Sequence, residues 1–242
     1  KVDEGFAVPL KNVEVLSLTE KGIEKVRASY IYKEFVPSLI EIKTKRGRKI
    51  RLTKQHKLLT IEEGAIWKPS CLLKKGDIIA VPKNIKLPEN QKLSEEEAYF
   101  LGFFVAEGTS NPLSITTSNE KIKDRIVNFI KKRFGYKPTV RIDKRKGKTK
   151  YIILLRNKTR ELLKDLVNSK AESKFVPPEI FKSSEEIVKS FLKGYIDGDG
   201  YVSTTIEMCT KSYKLAIQLS YLLKKIGTDV TIRAVSYTHL TL

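Results

Sequence analysis

Two stretches of the chain share one grammar: FLGFFVAEG at residues 100–108 and FLKGYIDGDG at 191–200. Each is an apolar run of helical texture that ends on an acid followed by glycine, Glu107-Gly108 and Asp199-Gly200. A serine opens each predicted helix, Ser94 with Glu97 and Ser183 with Glu186, the spacing of a capping box. Inside them, Gly102 with Ala106, and Gly194 with Gly198, stand at i and i+4 and so share a helix face. Such a flat stripe lets another backbone come close, and it predicts that the two helices pack on each other with their terminal acids side by side. Glycine is an ordinary way to end a helix. An acid at that end opposes the helix dipole, and here it does so twice in matched context.

The match continues downstream. After Glu107 come LSITTS, a helical NEKIKDRIVNFIKKRFG and a strand-like TVRID; after Asp199 come VSTTIEMCT, SYKLAIQLSYLLKKIG and VTIRA, at an offset of about ninety residues. An internal duplication of this kind predicts two α+β halves related by a pseudo-twofold. Residues 11–88 read differently, as short β-prone runs: NVEVLSL, KVRASYIYKEF, SLIEIKTKRGRKIRLT, HKLLTI and GDIIAVP. Alternation on both sides of KRGRK predicts a hairpin with one buried face. The proline-containing PKNIKLPENQKLS reads as the linker between the two textures.

The 47 Lys and Arg against 28 Asp and Glu give a net charge of +19, which favours a polyanionic partner such as nucleic acid over an inert basic surface. Two carboxylates forced together want a shared proton or a cation. Hard oxygen donors suit Mg²⁺ (or Mn²⁺), with a phosphate completing the shell. The expected substrate is therefore a phosphodiester, attacked by a metal-activated water. A pseudo-twofold suits duplex DNA, with one acid for each strand. A calcium loop starting at Asp197 fails, because its twelfth position is Met208. The repeat singles out Asp199, since Asp197 aligns with Val105. The basic run RIDKRKGKTK reads as a hairpin loop whose Arg141, Lys144, Arg145, Lys146, Lys148 and Lys150 could reach phosphates or base edges, a solvated loop being the alternative. Cys71 and Cys209 stand in no CxxC pattern and read as small apolar fillers in a reducing compartment. No run of the sequence given is long enough to span a membrane, and its opening KVDEGFAVPL does not have the apolar h-region of a signal peptide.

The two helix-acid motifs resemble the dodecapeptide motifs of LAGLIDADG (DOD-type) homing endonucleases, and the β-rich segment before them resembles the splicing domain of an intein. GRKIRLTKQHKLLT is similar to the T-x-x-H block, with Thr53 and His56; LKKGDIIAVPKNI is similar to the strand that ends the N-terminal splicing region. SKFVPPEIF resembles the block between the motifs that carries a lysine, here Lys174, and TKSYKLAIQLSYLLKKIG resembles the helix block after the second. The resemblance implies that Glu107 and Asp199 are catalytic, metal-binding acids and that Lys174 sits near the scissile phosphate. It implies a sheet lying in the major groove, His56 activating the upstream splice-junction peptide bond, and Thr53 helping to hold that geometry. It implies double-stranded DNA and flanking host-protein exteins as partners. The chain would be a monomer with an internal pseudo-dimer, in a prokaryotic or archaeal cytoplasm and on the nucleoid when bound to DNA.

The expected fold class is thus α+β: an N-terminal all-β splicing (Hint-type) segment at 1–90, a duplicated LAGLIDADG endonuclease at 91–235 with repeats at 94–180 and 183–235, and an unassigned tail at 236–242. The family begins on Cys or Ser where Lys1 stands and ends on His-Asn, and fewer residues follow Asp199 than separate the two acids. The expectation is a second half that is truncated, with cleavage belonging to a full-length parent. A DNA-binding module of the same fold that does not cut, and a passive intein fragment, are the alternatives.

Overall fold

A computed structural model describes residues 5–82, 92–145, 147–167 and 170–234. Lys146, most of the expected linker and the 236–242 tail lie outside the described residues. The chain divides into two units, Lys1–Lys86 with Val230–Leu242, and Leu87–Asp229.

The first unit is built of short antiparallel ladders. Strands β1 (Gly5–Pro9) and β4 (Tyr30–Glu34) pair, as do β2 (Glu14–Thr19) and β3 (Gly22–Arg27). The expected hairpin forms between β5 (Ile40–Lys43) and β6 (Lys49–Leu52), and β7 (Lys57–Ile61) lies between β8 (Ala65–Pro69) and β9 (Ile78–Ile79). The buried hairpin face is realised only in part: Ile40 and Ile42 are half-buried and Ile50 is exposed. Among the described residues of this unit only Gly5, Thr60 and Ser70 are buried, while Phe6, Tyr30, Phe35 and Trp67 are exposed. At the hairpin tip Gly47 takes φ +80, and a Cβ there would lie 1.9 Å from the carbonyl oxygen of Ile232, whose amide donates to the Arg46 carbonyl at 2.9 Å. Residues 230–234 therefore dock on this hairpin and form no strand, which corrects the reading of VTIRA as the counterpart of TVRID. A backbone amide satisfied across the chain outweighs the local β-propensity of Val, Thr and Ile.

The second unit holds the apolar core. Helix α1 (Glu95–Glu107) is buried at every position from Glu97 to Ala106, as a helix that is apolar all round must be. It starts on the expected capping box: the Ser94 hydroxyl accepts from the Glu97 amide, and the Glu97 carboxylate accepts from the Ser94 amide. Strands β10 (Gly108–Ser110), β11 (Leu113–Thr117), β12 (Thr139–Asp143) and β13 (Lys150–Leu154) form one antiparallel sheet in the order β10-β11-β13-β12. Helix α2 (Glu120–Phe134) joins β11 to β12, opening on Asn119 and closing on Gly135 at φ +71. Its Ile126, Phe129 and Ile130 lie on one face; the Phe129 ring meets Phe100 at 4.9 Å, and Ile115 and Ile153 of the sheet belong to the same core. Burial of each such side chain stabilises the unit by roughly 1.5–3 kcal/mol.

After the short helix α3 (Pro178–Phe181) comes α4 (Glu185–Asp199). Its N-cap is Ser184 and not Ser183, and Ser184 makes no side-chain cap bond. Ser183 is buried, its hydroxyl donating to the Glu179 carbonyl at 2.8 Å, so the serine that fits the capping-box spacing is already engaged by α3. A two-stranded ladder of β14 (Gly200–Val202) and β15 (Ile206–Met208) and then helix α5 (Tyr213–Lys225) complete the unit. Leu215, Leu219 and Leu222 form the buried stripe of α5.

The stripes of small residues do what their spacing predicts. A Cβ on Gly102 would lie 2.0 Å from the Phe191 carbonyl oxygen, and one on Gly194 would lie 2.1 Å from that of Tyr99. The contact is reciprocal, and a Cβ on Gly198 would strike that of Ala106 at 2.5 Å. Only glycine lets the two backbones touch here. Both cysteines are exposed, which corrects their reading as core fillers: Cys71 lies in the turn after β8 and Cys209 just past β15.

Candidate functional site

Glu107 is the last residue of α1 and Asp199 the last of α4, so the close approach of the helices delivers both acids to one end of the pair. A Cβ on Gly198 would lie 3.3 Å from Cγ of Glu107. Gly108 and Gly200 leave their helices in extended conformation, at φ −78 and −88. Glycine is required there by space and not by a left-handed turn: an added Cβ would meet the carbonyl oxygens of Phe104 at 2.4 Å and Ile196 at 2.5 Å.

Lys174 enters from a segment far along the chain. Its ammonium donates to the carbonyl of Ala106, the residue before Glu107, at 2.7 Å. Burial pushes the Glu107 carboxyl above the ordinary range, and the charge of Asp199 pushes it further, while Lys174 and Lys150 pull it back. Asp199 keeps an open side to solvent, yet partial desolvation raises its carboxyl too, against the pull of Lys174. Burial lowers the Lys174 ammonium, and the two acids oppose that shift. Three charges thus share a space that hydrates none of them fully, the situation in which a proton or a cation is taken up.

The other sequence-predicted residues are spread more widely. The β12–β13 hairpin exposes Arg141, Lys144, Arg145, Lys148 and Lys150. Arg141 pairs across the ladder with Ile152 and Asp143 with Lys150, so both cations stand on the face turned away from buried Ile153. Arg145 is already engaged, donating twice to the Asp143 carboxylate at 2.9 and 2.6 Å. Thr53 and His56 belong to the first unit, in a turn where the His56 amide donates to the Thr53 carbonyl at 3.1 Å. His56 is exposed and Thr53 half-buried.

Two residues that sequence reasoning passed over have structural work here. Buried Ser70 pins the Thr53–His56 turn: its hydroxyl donates to the Thr53 carbonyl at 2.7 Å, and its amide to that of His56 at 2.8 Å. No periodicity in the sequence marks it. Asp197, set aside because it aligns with Val105, accepts from the Tyr99 hydroxyl at 2.8 Å and so ties α4 to α1. The Arg125 guanidinium lies 3.4 Å from the Tyr99 ring centroid and pairs with Glu96 at 2.9 Å. Among the described residues no group of three or more His, Cys, Asp or Glu side chains could hold a metal, which leaves the acid pair as the cluster of this chemistry to consider.

Residues 2–214 match the intein splicing domain family. This chain belongs to that family. It is similar to an A-type ATP synthase subunit from Pyrococcus abyssi, 33% identical over 246 residues, covering 87% of this chain and 24% of that protein. It is 32% identical over 240 residues to the replication factor C small subunit of Methanocaldococcus jannaschii, covering 94% of this chain and 13% of that one. A DnaB replicative helicase of Synechocystis is 25% identical over 249 residues, covering 93% of this chain and 28% of that protein. The chain spans a quarter or less of the first two relatives. Among solved structures, I-DmoI in complex with DNA and Mn aligns at a TM-score of 0.45 and 17% identity, covering 59% of this chain and 84% of that one. The N-terminal LAGLIDADG domain of DUF199/WhiA aligns at 0.39 and 15%, covering 57% and 68%.

Proposed function

We propose that this intein-family chain carries a metal-dependent DNA endonuclease of the LAGLIDADG type beside its splicing region. One observation carries the reading: two packed helices end on Glu107 and Asp199 beside Lys174, whose ammonium is anchored on the carbonyl of Ala106. Both acids are held above their ordinary protonation range, one of them partly by the other, and a divalent cation relieves that conflict. The donors are hard oxygens, which fit Mg²⁺ or Mn²⁺; Glu107 and Asp199 would hold the ion. When bound it supplies Lewis acidity toward a phosphodiester.

The chain's own residues supply the rest. Lys174, with its pKa lowered by burial, places a cation beside the phosphate and gives up a proton more readily than a surface lysine does. Exposed Arg141, Lys144, Lys148 and Lys150, with Lys146 of the same loop, hold the duplex through its phosphates. In the splicing region His56 acts on the upstream junction, with Thr53 beside it in the turn that Ser70 pins. The partners are double-stranded DNA and the host segments flanking the chain.

Incubating the full-length protein with Mg²⁺ and a supercoiled plasmid library of random inserts tests the nuclease. Linear product that disappears in Asp199→Asn is expected. Binding without cutting, unchanged by that substitution, leaves a DNA-binding module instead. Splicing is tested with the full-length protein between two reporter domains: ligated reporters are expected from the wild type and not from His56→Ala.

A further inference from the structure

Lys174 is 68 positions from the carbonyl it bonds, and nothing local in the sequence aims it there. What holds it is α5. The hydroxyl of Ser212, the wholly buried N-cap of α5, donates to the Lys174 carbonyl at 2.7 Å while accepting from the Leu215 amide at 3.1 Å. Just inside the helix, the Lys214 ammonium lies over the Phe175 ring, 4.8 Å from its centroid. One turn further on, the Gln218 side-chain oxygen accepts from the Val176 amide at 2.9 Å. Three consecutive residues, 174 to 176, are thus gripped at three successive points along one helix.

We propose that Gln218 and Ser212 are positioning residues for Lys174: α5 clasps the 174–176 backbone so that the ammonium is delivered to the helix ends carrying Glu107 and Asp199. The inference rests on the reading of Lys174 as the cation of a nuclease site. It makes that site dependent on a helix that contributes no side chain to it. Helices α1 and α4 alone would set the acids; α5 sets the lysine. Since catalytic groups misplaced by about 1 Å can lose roughly a hundredfold in rate, loosening the clasp should slow cutting without weakening DNA binding.

The test uses Gln218→Met, which keeps side-chain volume but removes the acceptor, and Gln218→Glu, which keeps the acceptor, both in the full-length protein. Limiting acetic anhydride followed by peptide mass mapping reads the accessibility of Lys174 without any DNA. Lys174 is expected to label several-fold faster in Gln218→Met than in the wild type and at the wild-type rate in Gln218→Glu. Single-turnover cleavage should fall roughly tenfold to a hundredfold in Gln218→Met, with the duplex dissociation constant unchanged and Gln218→Glu restoring the rate. Ser212→Ala should shift labelling the same way. Equal labelling of Lys174 in Gln218→Met and wild type overturns the proposal, as does faster labelling with no loss of cleavage. If the wild type never cuts, the nuclease reading fails, and the labelling alone decides whether α5 holds Lys174.

Discussion

Burial raises the carboxyls of both Glu107 and Asp199, and the charge of Asp199 raises that of Glu107 further; each acid also ends a helix, where the dipole disfavours negative charge. Their folded pKa values lie above the unfolded ones, so the stability tied to their protonated forms is full below the ordinary carboxylate range. It is lost as pH rises through the raised values. Lys174 runs the other way: its folded pKa is lowered, so its penalty is present at neutral pH and fades only as the lysine deprotonates. Asp199→Asn is therefore expected to raise the melting temperature at pH 7 and to leave it unchanged at pH 3, as scanning calorimetry across pH would show. Added Mg²⁺ should raise the melting temperature of the wild type, because it binds the folded state, and do so less for Asp199→Asn. A wild-type protein indifferent to Mg²⁺ in that experiment would remove the acid pair as a cation site.

Helices α1 and α4 are the elements on which this depends, and their closeness rests on Gly102 and Gly194. Gly194→Ala puts a methyl group where the carbonyl oxygen of Tyr99 lies 2.1 Å away. The helices must separate, at a cost on the order of 1–3 kcal/mol for overpacking, which lowers the melting temperature by about 2–4 °C per kcal/mol. The same separation moves Asp199 from Glu107, so the Mg²⁺-dependent gain should shrink with it. Ser94→Ala works at the opposite end of α1 and costs about 1 kcal/mol for the lost cap. It also takes a hydroxyl from Glu97, whose buried carboxyl is kept below its usual range, despite desolvation, by the Ser94 amide and the Arg133 guanidinium. That change lies far from the acids and should leave the Mg²⁺ response intact; denaturant melts with and without the ion separate the two effects.

If the chain binds DNA as proposed, its response to salt follows the number of phosphates that the cations of this +19 chain neutralise. Each neutralised phosphate adds about 0.9 to the slope of log affinity against log salt. Lys148→Ala should lower that slope by about 0.9, and Arg145→Ala by less, since Asp143 already engages its guanidinium; fluorescence anisotropy over a KCl series reads both. What the sequence alone determined here is whatever repeats at short range. The two helices, the Ser94 box, the small-residue stripes and the two terminal acids all follow from patterns within one helix, where neighbours in space are three or four positions apart in the chain. Even there Ser183 misled, because its hydroxyl had a closer partner in the preceding turn. Only the tertiary structure decided that Lys174 reaches Ala106, that Tyr99 binds Asp197, that Ser70 pins the Thr53–His56 turn, and that residues 230–234 return to the first unit and not to a sheet of the second. These contacts join positions with no shared period, and each satisfies a polar group with a partner that only the packing of the chain brings within reach.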